Sequence, residues 1–455
     1  MSRPSVLDVL TPGYGPLFDR LRAVADADDR IRAMWLSGSL ARGHADAASD
    51  LDVLIAVRDE DHAAFTGAWR EWLAGIAPTV VARALPSPPG SFYSVTATCE
   101  RLDVVVEAVS AVPASPFRHR LAVFDRDGLD ARVPAAAPEA GPDPARLASL
   151  VEECFRQQVN LPTVTVREDW LMGVVAVQQI HLILYQLLVA ANAPQPPMGV
   201  KQWSARLTAA QRRVLEALPV PQPARESVLA ARDAAAEAFV REARAVLAAN
   251  GVPWPAELEL AVAVHLAREV GVLPPPPGWR IDPETLRDVP DDPAAVDVSI
   301  AALRARLAAP GLAPADELEL RARLGGEARL AGRLDLAVEV LDAALALAER
   351  HGTPRQRLLA RVRLAHARQW RREWAESDAL FARCLADVES APDLDDRARA
   401  FVLQHAGKNH FDQGRWPEAA ELFARALALR QAAGDEALAE SSRQAVDTAR
   451  GRLTG

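Results

Sequence analysis

The chain has 455 residues, a length that favours about two to four domains over a single compact core. Half of the residues are hydrophobic and 25% are charged, as in ordinary soluble globular proteins. The formal net charge of -9 argues against a protein that coats nucleic acid, because such proteins are usually basic.

The three cysteines, Cys99, Cys154 and Cys384, are far apart and include no Cys-x-x-Cys pair. The sequence therefore predicts neither a disulfide framework nor a zinc site, and a cytoplasmic location fits this pattern. No apolar leader follows Met1, so we expect no secretion signal. The most apolar segment, residues 171–191, is interrupted by glutamines and by His181. It is predicted to be a buried helix of a bundle rather than a membrane span, with His181 hydrogen-bonded in the core.

Near the N-terminus, amphipathic helices alternate with short apolar strands. A helix is predicted over residues 17–25 and a strand over residues 31–36, followed by the Gly38-Ser39 turn. Residues 40–45 are predicted to begin a helix, whose free backbone N–H groups would suit a phosphate oxygen. A second strand is predicted over residues 50–57.

The second strand carries two acids, Asp50 and Asp52, near its start. Residues two apart on a strand share a face, so both carboxylates are predicted to point away from the apolar Val53, Ile55 and Val57. Neighbouring carboxylates repel each other unless a cation lies between them, and such hard oxygen ligands suit Mg²⁺. The pair therefore indicates a metal site.

Beyond this strand, a helix is predicted over residues 62–77 and strands over residues 79–85 and 92–98. In the next strand, residues 101–107, a lone acid, Asp103, interrupts an apolar run, and Glu107 shares its face. A third carboxylate beside a metal pair can hold a metal ion or accept the proton of an attacking hydroxyl.

Gly38-Ser39, Asp50-x-Asp52 and Asp103 follow the motif order of the nucleotidyltransferase superfamily that includes DNA polymerase beta, and about the first 135 residues resemble that family. The run from Val123 to Gly128 is similar to the antibiotic-type members. The alternative interpretation is an ordinary α/β domain with solvated acids. Its difficulty is Asp103, which lies in an apolar strand with no obvious partner.

The resemblance implies a mixed-sheet α/β catalytic domain over residues 1–136. It implies that Asp50, Asp52 and Asp103 are catalytic and hold Mg²⁺. Gly38 and Ser39 would hold the phosphates of ATP or another nucleoside triphosphate, with Arg42 and Lys201 also at the nucleotide. The general base stays open among the following acids: Asp103, Glu107, Glu168 and Asp169.

Residues 143–273 are predicted to form a helical domain, which the antibiotic-type members also attach after the catalytic one. Helices are expected over residues 144–158, 166–192, from 199 onward, 227–250 and 254–269. Glu168 and Asp169 open the second helix, where the macrodipole favours acids without any catalytic role. Lys201 has a matching alternative as an exposed surface lysine.

The C-terminal part, residues 280–455, follows a stiff linker at residues 274–278 and contains a further break at residues 288–293. Small residues recur at Ala337, Ser377 and Ala419, with spacings of 40 and 42 residues. Other small positions and large apolar positions keep the same phase: Gly325, Ala365 and Gly407; Leu341, Phe381 and Phe423. This pattern resembles the tetratricopeptide repeat, although the spacing exceeds the usual value of about 34 residues. It predicts an α-solenoid with a capping helix over residues 435–452.

The leading hypothesis is a Mg²⁺-dependent transfer of a nucleoside monophosphate, AMP from ATP, to a hydroxyl of a small molecule such as an aminoglycoside-like antibiotic, with release of pyrophosphate. The alternative is a protein AMP-transferase of the toxin–antitoxin type, acting on a partner that the repeats hold. The repeats are also compatible with self-association. A third hypothesis is a scaffold whose catalytic domain has lost its activity, which the retained acids argue against. We expect no membrane partner and no nucleic-acid substrate.

Overall fold

The computed structural model describes residues 3–86, 88–136, 140–193, 200–391 and 394–454, without the side chains of residues 200–202 and 454. The chain forms two compact units. The first contains residues 1–141 together with residues 194–203, and the second contains residues 142–193 together with residues 204–455. The predicted helical domain and the repeats thus share one unit, and the boundary expected between residues 273 and 280 stays a prediction.

The first unit is built on a six-stranded mixed sheet, which confirms the predicted α/β fold class. Its strands are β1 Ile31–Leu36, β2 Leu51–Val57, β3 Thr79–Ala84, β4 Ser91–Thr96, β5 Arg101–Ala108 and β6 Leu121–Asp125. They lie in the order β3-β4-β5-β2-β1-β6. β2 and β5 are parallel, and the other neighbouring pairs are antiparallel.

The helices of this unit are α1 Tyr14–Ala27, α2 Gly38–Ala41, α3 Asp59–Gly67 and α4 Trp69–Ala74. Strand alternation is as predicted, because Val53, Ile55 and Val57 are buried in the core that α1 and α3 cover. The single helix predicted over residues 62–77 is wrong, because Ala68 leaves the helical conformation at φ -100° and ψ 15° and separates α3 from α4.

The helical part of the second unit contains α5 Pro144–Val159, α6 Leu161–Val166, α7 Trp170–Ala191, α8 Ala209–Glu216, α9 Arg225–Ala249 and α10 Ala256–Val270. A short 3-10 helix, Val200–Arg206, precedes α8. The single helix predicted over residues 166–192 is wrong: Glu168 adopts a left-handed φ of 51°, and the Asp169 side chain begins α7 by accepting the Met172 N–H at 3.0 Å.

By length and composition, α7 is the one helix within the described residues that could cross a membrane. One of its faces is buried in the helical core, through Ile180, Leu184 and Leu187. The opposite face, which includes Leu171 and Val175, is exposed. The predicted burial therefore holds for one face of this helix.

The residues between the predicted linker (274–278) and the predicted break (288–293) form a β-hairpin, and its second strand lies within the predicted break. Its strands, β7 Trp279–Ile281 and β8 Asp288–Pro290, pair antiparallel. Leu286 in the hairpin loop is buried among Phe411 and Phe423 of the repeats. The hairpin is therefore part of the repeat domain's packing rather than a free spacer.

The repeats form a run of antiparallel helices, as predicted. They are α11 Pro293–Ala308, α12 Pro314–Leu330, α13 Leu334–His351, α14 Pro354–Trp370, α15 Trp374–Ser390, α16 Asp396–Asp412, α17 Trp416–Ala432 and α18 Glu436–Thr454. A Cβ on Gly325 would overlap Leu341, and a Cβ on Gly407 would overlap Phe423. The recurring glycines thus let paired helices pack closely, and α18 is the expected terminal helix.

Candidate functional site

The site begins where β1 ends and the chain turns into α2. The Ser37 N–H donates to the Asp52 carbonyl at 2.9 Å, which ties the turn to β2. Gly38 then adopts a left-handed φ of 59°, a conformation that favours glycine. The first amides of a helix have no acceptor within it, so the backbone N–H groups of Gly38 and Ser39 are donors that point out of α2 beside the acidic strand.

Gly38 also lies directly against a carboxylate. A Cβ built on Gly38 would overlap the Asp52 side chain, including its Oδ2 atom. The glycine therefore has two reasons to be there, its backbone conformation and the space that the Asp52 carboxylate fills. The turn that is predicted to bind phosphate and the acid that is predicted to bind a metal ion are therefore adjacent.

The Asp52 and Asp103 positions are direct partners in the parallel β2/β5 pair. Both side chains are half-buried on the same face of the sheet. The register of β2 and β5 therefore places one acid from each strand side by side, as predicted. Tyr93, the antiparallel partner of Asp103 on β4, adds a phenol position to this face. Strand alternation in the sequence groups Tyr93 with the other residues on its face of β4. It does not predict that Tyr93 pairs with Asp103, because that depends on the register between β4 and β5.

Asp50 lies one residue ahead of β2 and forms an ion pair with Arg101 at the start of β5. The Arg101 side chain also donates to the Ala48 carbonyl at 2.6 Å, and its backbone N–H donates to the Tyr14 hydroxyl at 3.1 Å. Sequence reasoning missed Arg101. Its signal is the Arg101-x-Asp103 spacing, which puts a cation on the face of the acid.

Within the described ranges, no group of three or more His, Cys, Asp or Glu side chains is placed to hold a metal ion. Asp52 and Asp103 supply neighbouring hard oxygen donors, which fit a divalent cation such as Mg²⁺. The third predicted ligand, Asp50, is engaged by Arg101. The donor types therefore fit a metal, and the three-acid set stays a prediction.

The predicted nucleotide-binding residues are only partly placed. Ser39 and Arg42 are half-buried at the start and end of α2, and the Arg42 Nε is buried with no hydrogen-bond partner among the described residues. This leaves a guanidinium donor close to the turn. The side chain of Lys201 lies outside the described residues, so its role stays a prediction.

The acids considered as alternative bases are engaged in structural contacts or exposed. Glu107 pairs with the buried Arg120 at 2.8 Å and bonds to Ser115. Asp169 caps α7, and Glu168 is exposed in the turn before it. Of the four candidates, Asp103 is the one whose position pairs with Asp52 across β2 and β5.

Two further predictions about individual residues have plain outcomes. The run from Val123 to Gly128 forms the end of β6 and the turn after it, and the Asp125 carboxylate accepts the Leu129 N–H at 2.9 Å. The expected hydrogen bond of His181 is missing for its buried Nε2 among the described residues, and burial lowers the pKa of this histidine.

Comparisons with known proteins support the two-part organisation. Residues 19–100 match the family model described as a nucleotidyltransferase domain, and residues 356–432 match one described as a tetratricopeptide repeat. The first match contains Gly38, Ser39, Asp50 and Asp52. The predicted pairing of a nucleotidyltransferase domain with C-terminal repeats is thereby confirmed, as is the class of enzyme, a transferase of nucleoside monophosphates.

No curated protein matches the chain. Among solved structures, the chain is similar to an aminoglycoside 6-adenyltransferase from Bacillus subtilis, with 13% identity and a TM-score of 0.27. The alignment covers 58% of this chain and 98% of the other.

Proposed function

We propose that this protein transfers AMP from ATP to a hydroxyl of a small acceptor and releases pyrophosphate. The observation that carries the proposal is the register of β2 and β5, which makes Asp52 and Asp103 direct neighbours beside Gly38. The acceptor class, a hydroxylated compound of the aminoglycoside type, rests on the sequence resemblance described above. The well-separated cysteines support a cytoplasmic location.

In this proposal, the chain's own groups divide the work. The amides and hydroxyl of Gly38 and Ser39 bind phosphate oxygens, and Arg42 adds positive charge. The acceptor oxygen forms a bond to the α-phosphorus while the bond to pyrophosphate breaks, and Asp103 accepts the hydroxyl proton. The turn and the strands position the reacting groups, which is a large part of phosphoryl-transfer catalysis.

Asp52 and Asp103, with Asp50 if it exchanges Arg101 for the cation, would hold Mg²⁺. When bound, this ion supplies positive charge that stabilises the phosphoryl oxygens and the leaving group. Without the ion, two neighbouring carboxylates repel each other, so Mg²⁺ is expected to stabilise the folded protein as well.

The test uses Asp52→Asn, with Asp26→Asn as a matched control whose side chain is 66% exposed. We expect Asp52→Asn to abolish pyrophosphate release from Mg-ATP in the presence of aminoglycosides. Mg²⁺ should raise the melting temperature of the wild type and of Asp26→Asn, but not that of Asp52→Asn. Equal Mg²⁺ stabilisation of all three proteins would show that the metal does not bind at this acid pair.

The second candidate function is AMP transfer to a protein partner, which the repeat match favours. ATP that carries a radiolabel on the α-phosphate distinguishes the two functions, because this phosphate is transferred with AMP. Label on a small aminoglycoside supports the first function, and label only on a protein supports the second. Asp52→Asn should remove the label in either case, because both functions use the same site.

A further inference from the structure

The concave side of the repeats contains a cavity of about 1050 Å³. Three helices, α12, α14 and α16, provide equivalent positions in consecutive repeats. One row is Arg323, Arg363 and His405, and the next is Gly326, His366 and Lys408; all six line the cavity. Because residues three apart on a helix are neighbours, the two rows form one basic surface.

The cations at the centre of the cavity exceed the acids that neutralise them. Lys408 and Arg329 share a single carboxylate, Asp288 of the hairpin, at 3.0 and 2.7 Å. Arg323 pairs with Glu327 at 2.7 Å. Other acids that line the cavity lie near the N-terminal ends of their helices: Asp316, Glu319, Asp396 and Asp435. The middle of the cavity therefore carries an excess of positive charge.

Arg363, which lines the cavity, has no ion pair among the described residues. Its guanidinium makes no hydrogen bond to the described residues, and its Cζ atom lies 5.8 Å from the centroid of the Phe401 ring. Burial lowers the pKa of Arg363, and the nearby charge of Arg355 lowers it further. The Arg363 side chain is half-buried at the wall of the cavity, so an anion bound there would replace water at its guanidinium with a charge-assisted hydrogen bond.

Other donors around the cavity also lack acceptors within the described part of the chain. They include Nη1 of Arg329 and Nε2 of Gln404, a side chain that is 97% buried. His366 accepts the Trp370 Nε1–H at 3.2 Å through its Nε2, so the neutral ring carries its proton on Nδ1. The Oε2 atom of Glu327, which also lines the cavity, is a buried acceptor without a donor in the same part of the chain. Buried polar atoms without partners indicate a missing water or ligand, and the donors outnumber this acceptor.

The β7–β8 hairpin and the residues before it limit the size of a ligand that the cavity can hold. Asp288 lines the cavity and pairs with Lys408, and Pro276, Trp279 and Ile281 line it as well. An extended peptide along the groove would have to displace this segment and its buried ion pairs. The remaining volume is that of a small-molecule pocket.

We propose that this cavity is a binding site for a small phosphate ester, whose phosphoryl oxygens accept from Arg363, Arg329 and His366. The site is separate from the proposed catalytic acids and does not depend on the proposed function. Guanidinium groups bind phosphoryl oxygens in a bidentate manner, and Phe401 and Leu359 offer apolar surface for the rest of the ligand.

The test measures binding of inorganic phosphate and phenyl phosphate to the full chain by calorimetry, in EDTA and at constant ionic strength. We expect Arg363→Gln to lose at least about tenfold in affinity. The matched control is Arg397→Gln, which removes a 77% exposed arginine from the rim of the same cavity and should change affinity by less than about threefold.

Arg363→Leu provides a second readout that does not need a ligand. Removing an uncompensated cation should raise the melting temperature without phosphate and remove the stabilisation by phosphate. The proposal is overturned if Arg363→Gln and Arg397→Gln bind phosphate equally, if Arg363→Leu lowers the melting temperature without phosphate, or if polyglutamate binds and phenyl phosphate does not.

Discussion

Gly38 and Gly43 both adopt left-handed backbone conformations, with φ of 59° and 72°. They differ in what surrounds them. A side chain on Gly38 would overlap the Asp52 carboxylate, whereas a Cβ on Gly43 has nothing within 4 Å. A side chain at Gly43 would therefore strain the backbone only, whereas a side chain at Gly38 would also displace a proposed catalytic acid.

We predict that Gly38→Ala lowers the rate of pyrophosphate release by roughly 100-fold or more, because a displacement of about 1 Å at a reacting centre has effects of that size. Both substitutions should lower the free energy of unfolding by about 1 kcal/mol through backbone strain, whereas Gly43→Ala should change the rate of pyrophosphate release little. Steady-state kinetics and thermal unfolding of both variants make the comparison. Similar losses of rate in both variants would assign the effect to strain in the turn.

At this scale, the sequence predicts the residue types of the site but not their partners. Alternation places Asp52 and Asp103 on definite faces, since it depends only on the strand period. Which residues stand opposite each other depends on the register between strands that are far apart in sequence. The Asp50–Arg101 ion pair and the Tyr93–Asp103 neighbourhood follow from that register, so neither was predicted.

Among the elements, the β7–β8 hairpin departs most from its sequence signal. The prolines and glycine of residues 274–278, just before the hairpin, predict a stiff linker, and residues 288–293 predict a break. The hairpin that lies at these positions is held by contacts that only the folded repeats provide: Asp288 with Lys408 and Arg329, and Leu286 with Phe411. The repeat helices themselves were predictable, since their small and large positions recur locally.

We predict that Asp288→Asn destabilises the second unit by about 3–5 kcal/mol, because it removes the one carboxylate that Lys408 and Arg329 share in a buried site. Burial alone would raise the pKa of Asp288, yet Lys408 and Arg329 hold it at about 2. Chemical unfolding monitored by circular dichroism measures the change.

Asp291→Asn is the control for this prediction. Its pair with Arg280 is more than half exposed on both sides, so we expect a change of less than about 1 kcal/mol. Equal effects of the two substitutions would mean that the buried ion pairs do not hold the hairpin in place.

The stability of the second unit is expected to depend on pH, because two buried histidines, His366 and His405, line the cavity of the repeats. Burial and the positive charges of Arg329, His405, Lys408 and Arg287 hold the pKa of His366 well below its usual value. Burial likewise lowers the pKa of His405, to about 3. Both rings stay neutral in the folded state at a pH where the unfolded chain takes up protons.

The sign follows from proton binding. Below about pH 6.5 the unfolded state binds more protons than the folded state, so the free energy of unfolding falls as the pH falls. Each such histidine contributes at most about 1.4 kcal/mol per pH unit. We predict that His366→Gln flattens the slope between pH 6.5 and 5, whereas His351→Gln, at an exposed position, leaves it unchanged. An identical slope in His366→Gln would show that this ring titrates normally.

The hairpin also changes how the repeats should fold. In an open solenoid each repeat contacts its neighbours, so unfolding can begin at an end and spread. Here the hairpin binds Arg329 of α12, Lys408 of α16 and, through the Pro283 carbonyl, Thr448 of α18. Its contacts with α16 and α18 join residues 120 and 165 positions apart. The array is therefore tied from its first repeat to its last helix. We expect such distant contacts to slow folding and to make unfolding a single cooperative event rather than fraying from the C-terminus.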